Sequence, residues 1–105
     1  MVMRIWHGWT EKINSDIYQE LLFNKIFPGI ENKKVKGYKG IQLLRRELKN
    51  ETEFITVMRF EDWKSVKEFA GENYEEAYVP EEARKVLKSF DSHSQHYEVQ
   101  KEIIY

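Results

Sequence analysis

The chain has 105 residues, with 17 Lys plus Arg set against 18 Asp plus Glu, and no cysteine. That length holds one domain, residues 1–105, and the balanced, well-mixed charge excludes the basic field that steers nucleic acid. The missing thiols exclude disulfides, thiolate metal ligands and thiol nucleophiles, and no apolar run reaches the ~18 residues of a membrane span. A cytoplasmic location with no membrane partner is expected.

In chain order, residues 2–9 read as a first strand. On its two-residue period Arg4, Trp6 and Gly8 share one face, while Met3, Ile5, His7 and Trp9 share the other. Thr10 or Asn14 can cap the helix that follows, whose apolar stripe is Ile13, Ile17, Leu21 and Leu22, extended by Tyr18 and Ile26. Phe27-Pro28-Gly29 is expected to stop it, and residues 30–37 to form a charged loop. Residues 38–48 alternate, with Ile41, Leu43 and Arg45 opposing Tyr38, Gln42, Leu44 and Arg46. A turn at Asn50 leads into a strand over 53–60, so the two strands form an antiparallel hairpin. Asp62 caps a short helix bearing Val66, Phe69 and Ala70 that Gly71 ends. Pro80 opens another, with Ala83, Val86, Leu87 and Phe90 on its buried face. Residues 93–104 complete the sheet.

Strand, helix, strand, strand, helices, strand is the ferredoxin-like split βαβ plan of an α+β domain, with one extra helical segment. Its helices cover one sheet face, yet several strands carry apolar groups on both faces, as in Ile41 and Leu43 against Leu44 and Leu48. Sheet-to-sheet pairing into a homodimer would cover the second face.

Glycine-rich phosphate loops, the GxSxG elbow, HExxH and calcium loops are all missing. His93 and His96, three apart on a strand, leave opposite faces, so no metal site is expected. Arg4, Arg45 and Arg46 need partners for their charge, and Glu47, Glu53 or Glu61 can supply them. A guanidinium left without one could clamp an anionic oxygen. The Lys33, Lys34, Lys36 and Lys39 cluster reads as a solvated loop, the alternative being a patch that meets an anionic group.

Arg4-Ile5-Trp6-His7-Gly8, Pro28-Gly29, Gly40 with Leu43-Leu44-Arg45-Arg46, Phe69-Ala70-Gly71, Ala77 to Glu82 and His96-Tyr97-Glu98-Val99 together resemble the antibiotic biosynthesis monooxygenase-like family along nearly the whole chain. The resemblance implies a dimeric α+β barrel with a cavity between sheet and helices in each subunit. It further implies oxidation of a small aromatic or quinol by dioxygen without a cofactor. In that scheme His7 accepts a proton, and Arg4 or Arg45 stabilises developing negative charge. Trp6, Trp9, Phe60 and Tyr97 are candidates to line the cavity or else to fill the core or dimer seam, with at most one of the two indoles meeting a ligand because they leave opposite faces. Haem-degrading relatives differ: Phe60 stands at their tryptophan position, Val66 to Ala70 offers no histidine, and Asn14 lies beyond the first strand. The alternative is a non-catalytic dimeric protein that binds a small molecule or serves a structural role.

Overall fold

The computed structural model describes residues 1–105. Strand β1 (Val2–Glu11) leads through a 3-10 turn into helix α1 (Ser15–Leu21), a π-helical segment (Leu22–Ile26) and helix α2 (Phe27–Asn32). Strands β2 (Tyr38–Glu47) and β3 (Glu51–Phe60) follow, then α3 (Trp63–Ala70), α4 (Glu81–Arg84), β4 (Ser89–Phe90) and β5 (Gln95–Glu98). The sheet order is β2-β3-β1-β4, with β5 also paired to β1, and every pairing is antiparallel. This is the ferredoxin-like α+β arrangement expected from the element order, with the final strand split in two.

All the helices lie on one side of the sheet. Val2, Arg4, Trp6, Gly8 and Thr10 of β1 face them, as do Thr52, Phe54, Thr56, Met58 and Phe60 of β3, because these residues are direct cross-strand partners and share a pleat face. The core has two centres. Tyr18 and Leu22 of the helical run meet Phe54, Val79 and Ala83, with Tyr18 and Phe54 edge to face at 4.9 Å. Val2, Met58 and Phe60 meet Val66 of α3. Asp62 caps α3 as expected, its Oδ1 accepting from Ser65 N at 2.9 Å, and Gly71 ends it at φ 87°.

Several local expectations are corrected. The helix does not stop at Phe27-Pro28-Gly29 but runs on to Asn32, shortening the loop before β2. Phe27 N–H reaches back five residues to Leu22 C=O, and Pro28 then falls in the opening turn of α2, where its missing N–H removes no helical bond. The 3-10 turn and π segment also shift the helical phase. Tyr18 and Leu22 therefore face the core, whereas Ile13 and Ile17 are 81% and 54% exposed. Neither Thr10 nor Asn14 caps a helix: the Thr10 hydroxyl joins a buried cluster with Ser15 and Thr52. A bulge between Tyr38 and Gly40 moves Tyr38 onto the same face as Ile41, against Phe60. The helix opened by Pro80 has only four residues, so Phe90 lies on β4. The strand expected over 93–104 is regular only at Gln95–Glu98.

Candidate functional site

A cavity of about 610 Å³ opens between the sheet and the helical run. Its floor is Trp6 and Arg4 of β1 with Met58 of β3; Leu22 and Ile26 roof it, and Val79 closes one side. The lining is mostly apolar, and the volume falls within the ~300–1,000 Å³ of small-molecule sites.

Trp6 is held in place from two directions. Its Nε1–H donates to Asp91 C=O at 2.7 Å, and its six-membered ring lies back over Gly8. A Cβ added at Gly8 would come within 3.0 Å of the indole and 3.1 Å of Leu87, so glycine is what lets the ring sit this close to the strand without a shift of a few tenths of an ångström. The strand thus presents a fixed flat wall.

Arg4 is the one arginine on the cavity wall, and it is 6% exposed. It makes no ion pair. Its Nη1 donates to Tyr74 C=O and contacts His96 Nε2 at 3.0 Å, and Nη2 reaches Glu76 C=O at 3.5 Å. Nε–H makes no hydrogen bond to the protein and keeps solvent access. Burial pushes the guanidinium down to about 10, well below its usual value but still charged at neutral pH. His96 lies directly across from Arg4 in the β1–β5 pairing and is boxed by Tyr74 and Trp63, at ring separations of 5.2 and 5.8 Å. Because an arginine only donates, His96 must accept through a neutral Nε2. Burial and the adjacent positive charge of Arg4 push this histidine down to about 4.

Two more cations reach the cavity. Lys25 pairs with Glu82, whereas Lys33 forms no ion pair and sits 4.4 Å from the centre of the Phe69 ring. Arg4 approaches the same ring at 5.8 Å. Lys33 therefore belongs to the cavity as well as to the charged loop.

The expected site residues do not gather in one place. Arg4 and Trp6 line the cavity. His7 and Trp9 leave β1 on the opposite, helix-free face and lie against each other with ring centres 5.9 Å apart. There His7 Nδ1 meets Glu53 Oε2 at 3.3 Å, and Arg46 holds Glu53 Oε1 at 2.6 Å. Arg45 stands on the helix side but outside the cavity, tied to Asp16 and Glu47 at 2.8 Å each. Phe60 is fully buried among Val2, Met58 and Val66 and does not line this cavity. Tyr97 pairs with Met3 and lies with it on the helix-free face, mostly exposed. The scheme joining His7 and an arginine over one ligand is corrected by strand alternation: an odd and an even residue of β1 cannot face the same space. Lys33 is read from the sequence only within its lysine cluster and not as a cavity residue, and His96 is missed as one. The first carries no motif, and the second becomes visible only once the β1–β5 register sets it against Arg4.

Fold and cavity together define a ferredoxin-like α+β domain with a largely apolar cavity between sheet and helices. No protein-family profile matches the chain, and no curated protein matches it in sequence. Solved structures do. A candidate antibiotic biosynthesis monooxygenase from Bacillus cereus superposes with a TM-score of 0.72 at 14% identity, over 99% of this chain and 95% of that one. The haem degrader MhuD from Mycobacterium tuberculosis, solved with two haems bound in its active site, superposes with a TM-score of 0.61 at 19% identity, over 98% and 99%. The ferredoxin-like fold expected from the sequence is thus one that this chain shares with both solved structures.

Proposed function

We propose that this protein is monooxygenase-like in activity as well as in fold, binding a small aromatic molecule or quinol in the helix-side cavity with an ionised oxygen at Arg4. One observation carries the reading: a buried guanidinium without a carboxylate partner lines an apolar cavity of about 610 Å³ whose floor includes an immobilised indole. A positive charge in so poorly solvated a place favours the anion of a bound hydroxyl, and an electron-rich ring anion is the form that reacts with dioxygen. In such a step one oxygen atom becomes a ring carbonyl. The other leaves as water, taking one ring C–H hydrogen and the hydroxyl hydrogen as the hydroxyl-bearing ring becomes a quinone, so no external reductant is needed.

Haem fits the site poorly. None of the three histidines lines the cavity, so no imidazole there is placed to hold an iron. A second reading, a binding protein without turnover, has a specific observation in its favour: with His7 on the far face, the cavity has no imidazole to accept a proton.

The active unit in this proposal is a homodimer joined through the helix-free sheet face. That face carries Ile5, Trp9, Leu44, Ile55 and Val57 around the His7–Glu53–Arg46 cluster, and Leu44 is 47% exposed in the single chain.

Titration with 1,4-naphthalenediol, followed by tryptophan fluorescence and an oxygen electrode, separates the alternatives. Saturable quenching with oxygen uptake above the diol's spontaneous autoxidation, unchanged by catalase, supports the enzyme, and quenching without such extra uptake supports the binding protein. Failure to quench removes both.

A further inference from the structure

We infer that the ligand of this cavity carries a carboxylate, seated between Arg4 and Lys33 at the Phe69 end while its ring lies over Trp6. The inference rests on the aromatic-binding reading above and specifies the ligand class.

The geometry of charge in the lining is its basis. Lys25 and Glu82 satisfy each other. Arg4 and Lys33 remain, with one further acid in the lining, Glu76, which pairs with neither. Both cations lie within 6 Å of the Phe69 ring centre, so they define one end of the cavity. Arg4 is anchored through Nη1, Nη2 makes only a long contact to Glu76 C=O at 3.5 Å, and Nε–H has no protein acceptor. An ionised ring hydroxyl accepts from a guanidinium with one oxygen and a carboxylate with two, so both can dock on Arg4 but the carboxylate docks more tightly, and Lys33 adds a mobile point charge from the rim.

A buried cation held only by neutral acceptors is an uncompensated charge. Elsewhere this sequence supplies carboxylates freely: Arg45 has two and Arg46 has one. Arg4 alone among the buried residues is a cation without an acid, and it is the arginine on the cavity wall.

Calorimetric titration with two probes matched in ring, 2-naphthoate and 2-naphthalenemethanol, tests the inference on the full chain. Charge-assisted hydrogen bonds predict naphthoate binding tighter by about tenfold or more. Arg4→Met should erase that preference while retaining the neutral probe, and Lys33→Met, at an exposed side chain that cannot endanger folding, should reduce it. Equal affinity of the wild-type protein for the two probes, or preference for the alcohol, overturns the carboxylate and leaves the aromatic cavity standing. No binding of either probe overturns the cavity reading itself.

Discussion

Arg4 Nη1 and His96 Nε2 lie 3.0 Å apart across the β1–β5 pairing, and this contact requires the imidazole to be neutral. The folded state holds His96 down at about 4, whereas an unfolded histidine titrates near 6.5. Between those values the unfolded chain binds more protons, so stability must fall as pH drops from about 6.5 towards 4. Urea midpoints measured across that range should decline, and His96→Gln, which keeps an acceptor but does not titrate, should flatten that part of the curve. A wild-type curve without slope there would remove the neutral histidine from behind Arg4.

His7 and Arg4 leave β1 on opposite faces, so the imidazole cannot serve the cavity. His7→Ala should change the affinity for a cavity ligand by less than about 0.5 kcal/mol, as expected of independent sites. A large loss, measured by calorimetry, would place the ligand on the wrong side of the sheet in our account.

The helix-free face should be an interface. Leu44, Ile55 and His7 form one row across β2, β3 and β1, and Arg46, Glu53 and Trp9 form the next. Sedimentation should give a dimer at micromolar concentration. Leu44→Arg should dissociate it, by setting an unpaired charge into each copy of the contact. A monomeric wild-type protein would contradict this part of the proposal.

Gly8 and Trp6 make the cavity floor together. Gly8→Ala should press the indole and Leu87 back by a few tenths of an ångström, at a cost of up to about 1–3 kcal/mol for an overpacked site, and should weaken aromatic ligands in the same variant. Thermal denaturation and fluorescence titration read the two effects separately.

The sheet was legible because β1 and β3 alternate cleanly, and alternation states which residues share a face without stating what lies over it. The division of Arg4 and Trp6 from His7 and Trp9 was therefore already readable, but the side carrying a cavity was not. The helical run was harder. One period of 3.6 residues cannot describe a segment that passes from 3-10 to α to π geometry, so Ile13 and Ile17 were assigned inward and Pro28 was given a stop it does not impose. Tyr38 changed face for a comparable reason, since the bulge at Gly40 adds a residue that no alternation rule counts. His96 and Lys33 depend on contacts between distant segments, and local pattern carries no record of those.

The most direct test is a crystal structure of the protein soaked with 1,4-naphthalenediol. The account requires the ring in the helix-side cavity against Trp6, with one oxygen within about 3.2 Å of the Arg4 guanidinium. A ring bound instead beside His7 and Trp9 on the other face, or an oxygen turned away from Arg4, would contradict it.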